Sequence, residues 1–285
     1  MTPTDFRMLE SLRVRWAEID SQQIVFNGHY LMYFDTAISA YWRALAMPYQ
    51  ETVQQLGGDL YLRKVTVEYH ASARYDDVLA IGMRCERVGN SSITFTGAAF
   101  RGNTLLATGE LVYVWADPAS QTSRPVPEAL RDALRAFEAG EPPVTVRVGR
   151  WSELGTDARA IRTEVFVAEQ GISPELEWDD ADGSCVHAVA YNRFGAAVGT
   201  GRLLEHVPGV AKIGRMAVRR PVRGTGAGRA VLDALCVAAR RQGFNEALLH
   251  AQRSAETFYV AEGFVPRGQP FEEAGIPHIE MVKAL

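Results

Sequence analysis

The chain reads as a two-domain α+β protein, and three observations carry that reading. It has 285 residues, more than a single hydrophobic core usually organises. The tract AGEPP at 139–143 cannot continue the helix pattern before it, because its prolines fix φ and remove backbone donors, and a strand pattern, VTVRV, starts at Val144. The two sides of that break are also patterned differently. Before it stands one long apolar-faced helix followed by long strands; after it, strands and helices are mixed. We therefore read residues 1–138 as one domain, 139–143 as a linker and 144–285 as a second domain, with the break near Gly140.

In the first domain, Tyr30, Phe34, Ala37, Ile38, Tyr41 and Leu45 recur at helical spacing, and Leu31 and Trp42 widen the face they make. This predicts a helix buried on most sides and ended by Pro48. In KVTVEYHASA, Val65, Val67, Tyr69 and Ala71 alternate with Thr66, Glu68, His70 and Ser72, which is a strand period. VLAIGMRCERVG, SSITFTGAAFRG and LLATGELVYVWA follow, split at Gly89-Asn90 and Gly102-Asn103. One helix and a meander of long strands predict an antiparallel sheet wrapped around that helix. PVPEALRDALRAFE closes the domain as a helix with Pro127 near its first turn.

The second domain reads as a strand (VTVRVGRW), a helix opened by Ser152, and then three strands (CVHAVAYN, AAVGTGRLLEH, VAKIGRMAVRR). The helix GAGRAVLDALCVAARRQG is stopped at Gly243, and EALLHAQ, SAETFYVAEG and HIEMVKA follow as strand, short helix and strand.

Composition excludes several classes. A formal net charge of −4 provides no global basic field for nucleic acid, so an anionic ligand needs a local cluster of cations or backbone N–H groups. Cys85, Cys185 and Cys236 are odd in number and scattered, with neither metal spacing nor a disulfide framework, and read as small buried hydrophobes. No apolar run approaches the length of a membrane span, and MTPTDFRMLESLRVRW lacks the build of a signal peptide. The expectation is a cytoplasmic protein with no bound metal.

The strongest local signal is VRRPVRGTGAGRAVL. A strand ending in Met216, Ala217 and Val218 runs into Arg219, Arg220 and Arg223, then Gly224, Thr225, Gly226, Ala227, Gly228 and Arg229, where a helix starts. Glycines let a backbone approach a ligand closely, and a helix start presents unpaired N–H groups and a positive dipole end, a combination that binds phosphate oxygens. Neither a P-loop lysine nor the dinucleotide spacing G-x-G-x-x-G is present. The pattern Arg223-x-x-Gly226-x-Gly228 resembles the acyl-CoA pyrophosphate loop of the GNAT N-acetyltransferase superfamily. The resemblance covers roughly Val144 to Leu285. It implies a GNAT α/β fold in which the backbone of Met216 to Val218 binds the pantetheine arm. FYVAEGF resembles the late motif of that superfamily, which places Tyr259 near the CoA sulfur as the acid that protonates the departing thiolate; a packed aromatic is the competing reading. IRTEVFVAEQGIS and EEAGIPHIEMVK resemble one bacterial branch. Acyl transfer also needs a base, for which Glu164, Glu169, His187 and His278 are candidates between which sequence does not choose. For His278 a bond to a backbone carbonyl at a strand start is the plainer reading.

Earlier, in WAEIDSQQIVFNGHYLMYFDTAISAYWRAL, an acid, Asp20, precedes an apolar step, Ile24 to Phe26, and a helix start. That arrangement suits a thioester: the helix N-terminus can polarise the carbonyl, and the carboxylate can attack it or activate a water. Taken alone, Asp20 reads equally well as a turn or cap residue. RVRWAEIDSQQIVFNGHYLMYFDTA resembles the start of the hotdog-fold thioesterases of the 4-hydroxybenzoyl-CoA thioesterase type, over roughly Leu12 to Phe137. The resemblance implies a hotdog fold, an antiparallel sheet around a central helix. It also implies Asp20 as the catalytic aspartate and Asn27 as the position whose backbone N–H meets the thioester oxygen. Gln22-Gln23 depart from the Ala/Pro-Gly or Gly-His step common there, and His29 has no assigned role. Pairing of such domains implies a homodimer or tetramer.

Both resemblances converge on coenzyme A thioesters. The reading is a bifunctional enzyme that hydrolyses acyl-CoA in its first domain. Its second domain transfers an acyl group, acetyl being the expected one, to a small-molecule or protein amine. The alternatives are one active domain beside a partner that only binds acyl-CoA, or a module with no catalysis.

Overall fold

A computed structural model describes residues 1–285, which divide into two units, Met1–Pro143 and Val144–Leu285. In the first, β1 (Met8–Arg13) precedes α1 (His29–Ala44), α2 (Tyr49–Leu56), β2 (Asp59–Tyr69), β3 (Val78–Val88), β4 (Ser92–Arg101), β5 (Thr104–Ala116) and α3 (Glu128–Glu138). The sheet is antiparallel with order β1-β3-β4-β5-β2. Of the anticipated four-strand meander, β3, β4 and β5 are consecutive neighbours, whereas β2 does not pair with β3 but lies at the far edge beside β5. The strand β1, ahead of Asp20, pairs with β3, and one element, α2, which follows Pro48 directly, was not anticipated.

The helix meets the sheet through Phe34, which is fully buried. Gly97 and Gly109 are cross-strand partners in β4 and β5, and a Cβ on either would come within 2.7 Å or 2.6 Å of the Phe34 ring. The absent side chains form a notch that lets α1 approach the sheet backbone. Truncating a ring so enclosed to alanine costs about 3–5 kcal/mol. Tyr41 adds edge contacts to Phe95 and Phe137, and its hydroxyl donates to Glu138 Oε1 at 2.5 Å, tying α3 to α1. The helix is less enclosed than its apolar count predicted. Met32, Asp35, Thr36, Ser39 and Arg43 are exposed along one side, and Leu31 is half-buried.

The second unit runs β6 (Val144–Arg150), α4 (Trp151–Arg162), a π-helical turn at Thr163–Glu169, α5 (Pro174–Glu177), β7 (Val186–Asn192), β8 (Ala197–Val207), β9 (Val210–Val218), α6 (Ala227–Arg241), β10 (Glu246–Gln252), α7 (Glu256–Ala261), β11 (Val265–Glu273) and β12 (Ile276–Ala284). Its sheet has the order β11-β12-β10-β9-β8-β7-β6. Ser152 is not the cap of α4. The start is a capping box in which the Arg150 N–H donates to Glu153 Oε2 at 2.9 Å. β11 had no strand signal: Pro266, Gly268 and Pro270 interrupt it, and it lies exposed at the sheet edge.

β9 and β10 are the parallel pair, and they pair only from Val210↔Glu246 to Ile213↔Leu249. Beyond Ile213 the strands part. The cause lies in β9, where Arg215 takes φ +52° and the register with β8 slips between Thr200 and Arg202. This bulge bends β9 away from its neighbour, while β10 continues straight along β12 to Gln252↔His278. The sheet is thereby opened from Gly214 and His250 outward.

Candidate functional site

In the first unit, Asp20 sits in a tight hairpin closed by an Ile19↔Val25 bridge. Its N–H donates to the Ile24 carbonyl at 2.9 Å, its carbonyl accepts from Gln23 N–H at 3.0 Å, and its Oδ1 accepts from Gln22 N–H at 2.8 Å. Gln23, exposed at the tip, takes φ +61°. Asp20 is therefore a turn-former, as its short acceptor side chain allows, and it is half-buried, with Oδ2 free of any partner in the chain.

What holds this hairpin is an acid the sequence reading missed. Glu18 is 3% exposed. Its carboxylate accepts from Arg15 N–H and from Tyr33 OH, each at 2.8 Å, and pairs with the Arg15 guanidinium. Burial pushes the Glu18 carboxyl up, but these donors outweigh it and hold it below its ordinary value, while burial and Glu18 push the Tyr33 phenol up. The Glu18 carbonyl also accepts from Phe26 N–H at 2.9 Å, fixing the approach to α1. The only sequence signal was an acid three residues after Arg15.

At the helix start, the N–H groups of Asn27 and Gly28 make no hydrogen bond within the chain, while the Asn27 carbonyl accepts from Tyr69 OH at 2.9 Å. Gly28 is the N-cap and supplies no side-chain cap. Two donors at the positive end of α1 are thus available to an oxygen. His29 only meets the Phe26 ring edge-on.

In the second unit, the loop after β9 forms a cradle. Gly224 and Gly226 take φ +84° and +88°, and Gly226 is the N-cap of α6. The N–H groups of Gly224, Thr225, Gly226, Gly228 and Arg229 make no hydrogen bond within the chain. Thr225 Oγ1 donates back to the Val222 carbonyl at 2.8 Å and holds the turn. A Cβ on Gly226 would meet no protein atom within 4 Å, so the space above it is open. The arginines divide. Arg219 pairs with Glu164 at 2.8 Å, Arg223 with Glu169, and Arg229 with Glu262 at 2.6 Å. Arg220 is exposed and makes no ion pair. Met216, Ala217 and Val218 lie on β9 beyond the split, where the edge towards β10 is unpaired, although the Val218 carbonyl accepts from Arg223 Nε at 3.0 Å.

A cavity of about 570 Å³ opens in the split, and Met216, His250, Gln252 and Tyr259 line it. The Tyr259 ring is packed edge-on against Phe258 and Phe264, while its hydroxyl makes no hydrogen bond in the chain. Burial alone pushes its phenol up to about 12. The phenol therefore keeps its proton at neutral pH. Of the candidate bases, Glu164 and Glu169 are taken by arginines and do not line the cavity. His187 is buried beneath Trp151, bonded to the Asp182 carbonyl at 2.9 Å, with its pKa lowered by burial. His278 lines the cavity and its Nδ1 donates to the Ile276 carbonyl at 2.8 Å, at the start of β12.

One wall of the cavity is an ion-pair lattice absent from the sequence reading. Arg162, 1% exposed, reaches Glu177 and Asp182 under the Trp178 ring, and Arg202 reaches Asp179 and Asp182. Arg215 contacts Glu177 and Asp179 at 3.3 Å. The lattice ties the segment between the π-helical turn and β7 to β8 and β9, so the acids of that wall are saturated.

A thioesterase-superfamily model matches residues 22–114, and a GNAT acetyltransferase-domain model matches residues 162–285. A Bacillus subtilis protein named as the uncharacterized N-acetyltransferase YjcF is 37% identical over 128 residues, covering 45% of this chain and 90% of the relative. An acyl-CoA N-acyltransferase from Pseudomonas aeruginosa is 31% identical, with TM-score 0.44, covering 50% of this chain and 99% of its own. A 1,4-dihydroxy-2-naphthoyl-CoA thioesterase from Synechocystis is 16% identical, with TM-score 0.42, covering 46% of this chain and 96% of its own.

Proposed function

From a chain that belongs to the GNAT acetyltransferases in its C-terminal half and carries a hotdog-fold thioesterase-superfamily domain before it, we propose a bifunctional acyl-CoA enzyme. The first domain hydrolyses acyl-CoA thioesters and the second transfers an acyl group, acetyl first among them, from CoA to an amine. The observation that carries the reading is the opened sheet between β9 and β10, with unpaired N–H groups at the start of α6 beside it.

In the transfer reaction, the N–H groups from Gly224 to Arg229 hold the pyrophosphate of CoA, joined by Arg220, and the unpaired edge of β9 receives the pantetheine amides. The amine attacks the thioester carbon, the carbon–sulfur bond breaks, and the Tyr259 phenol gives its proton to the departing thiolate. In hydrolysis, the Asn27 and Gly28 N–H groups hold the thioester oxygen at the positive end of α1, and the free Oδ2 of Asp20 attacks the carbonyl or takes a proton from water. No step needs a metal in either scheme. The test is direct: the purified chain is incubated with a panel of acyl-CoAs, acetyl-CoA among them, with and without a panel of primary amines, and acylated amine is sought by mass spectrometry alongside free CoA. Acylated amine and amine-independent CoA release together support both halves; absence of the first removes the transferase reading, and absence of the second removes the hydrolase reading.

A further inference from the structure

We propose that His250, oriented by Glu273, is the base that deprotonates the acceptor amine, an assignment that rests on the transferase reading of the second domain. Its place in the fold is the first reason. His250 is the residue of β10 that follows the last parallel pair, Leu249↔Ile213, so it stands at the apex of the split and lines the same cavity as Tyr259. Its partner is the second. Nδ1 lies 3.1 Å from Glu273 Oε2. Two groups meet Nδ1: the Glu273 carboxylate, which only accepts, and at a longer 3.4 Å the Lys212 ammonium, which only donates; the shorter contact assigns the hydrogen to Nδ1 and leaves the lone pair on Nε2. Phe271, edge-on at 4.8 Å between centroids, fixes the ring plane. This is the base-plus-orienting-carboxylate arrangement that stabilises an imidazolium once it forms.

The charges around the ring oppose one another: the Lys212 ammonium disfavours an imidazolium, while the Glu273 and Glu280 carboxylates favour it. Lys212 of β9 stands 3.4 Å from Nδ1, and Glu280 of β12 lies 3.9 Å from Nε2, beyond a hydrogen bond and already held by Arg267 of β11 at 2.6 Å. His278 of β12 is stacked on the far partner, Phe271. Burial pushes the Glu273 carboxyl up, but His250, His278 and Lys212 outweigh it and hold it below its ordinary value, so it is ionised when the base works.

The other cavity groups are engaged or unsupported. Both oxygens of Glu177 are met by Arg162 and Arg215, although burial pushes its carboxyl up, and Asp179 is held by Arg202 and Arg215. His206 is exposed and no carboxylate orients it. His278 has a backbone carbonyl on Nδ1 in place of a carboxylate.

The protons balance. An ammonium acceptor loses one proton to His250 Nε2, which passes it to solvent. The neutral amine attacks, the carbon–nitrogen bond forms, and the carbon–sulfur bond breaks as Tyr259 protonates the thiolate. The remaining proton on nitrogen restores Tyr259. Thus acyl-CoA and an ammonium yield amide, CoA thiol and one proton.

The experiment is the pH profile of acyl-amine formation by the full chain, with acetyl-CoA and small primary amines, read by mass spectrometry. His250→Asn should lower kcat by roughly 10²–10⁴-fold, leave acetyl-CoA affinity unchanged, and remove the limb that the base gives the pH profile, so that the rate climbs only towards the amine's own pKa. Glu273→Gln, on a side chain 49% exposed, should fold normally and move that limb to lower pH, because the imidazolium loses its carboxylate. A folded His250→Asn variant with wild-type rate and profile overturns the assignment, as does loss of the limb in His278→Asn instead. If His250→Asn does not fold, an unmoved limb in Glu273→Gln overturns it. A wild-type chain that acylates no amine fails at the transferase reading itself, whereas wild-type transfer with an unchanged variant profile removes only the base.

Discussion

Arg223 holds the carboxylate of Glu169 through two N–H···O bonds of 2.7 Å, and its Nε donates to the Val218 carbonyl at 3.0 Å. Three of the five N–H donors of the arginine beside the glycine loop are thereby used. A CoA pyrophosphate bound at the loop, as proposed, would meet this arginine already paired with Glu169. Glu169→Gln removes the competing charge and should tighten CoA binding several-fold at low salt, the scale of an exposed ion pair at about 0.2–1 kcal/mol. Calorimetry at two ionic strengths checks this; weaker binding would make the pair a scaffold that CoA needs intact.

Gly226→Val should weaken CoA binding while leaving the second domain folded. The added carbons meet no protein atom within 4 Å, so the crowding falls on the ligand, and the φ of +88° adds strain of roughly 1–3 kcal/mol. Calorimetric titration with CoA beside a thermal melt tests it. Wild-type affinity in the variant would mean that the loop is only a turn.

Tyr259→Phe should lower acyl transfer by roughly 10²–10⁴-fold, the range for one general acid. Its hydroxyl bonds nothing in the chain, so the ring contacts with Phe258 and Phe264 survive and stability should hold. Acetyl-CoA affinity should barely change, because the phenol acts only as sulfur gains charge. Full-rate transfer in the folded variant removes the role, and a melted domain makes the residue a core aromatic.

The first unit should assemble as a homodimer or larger. β2 is an edge strand of eleven residues with an unpaired side, and Tyr61, Leu62 and Tyr69 on it are 40–50% exposed. Such an edge invites pairing with another copy. Light scattering at micromolar concentration measures it, and a monomer would refute the assembly.

Much of the architecture could be read from periodicity. α1 and α3 have apolar faces, and the β3, β4 and β5 runs are ended by turn residues, so local pattern sufficed. β11 could not be read, because an exposed edge strand carrying Pro266, Gly268 and Pro270 needs no apolar period. The glycine loop was legible because its chemistry is contiguous. The ion partners were not: Glu164 and Arg219 are 55 residues apart, and His250 and Glu273 are 23 apart on different strands. Only the fold brings them together. Glu18 escaped notice for a related reason, since a lone acid reads as solvated until Tyr33 and Arg15 are seen around it.

The central claim is that one chain holds two separate acyl-CoA chemistries, and thiol release from a panel of acyl-CoAs, with and without an amine, tests it most directly. In the Asp20→Asn chain, amine-independent release should fall at least about a hundredfold, the scale of a lost nucleophile or general base, while amine-dependent release continues. Amine-independent release that is undiminished in the folded variant would contradict the account.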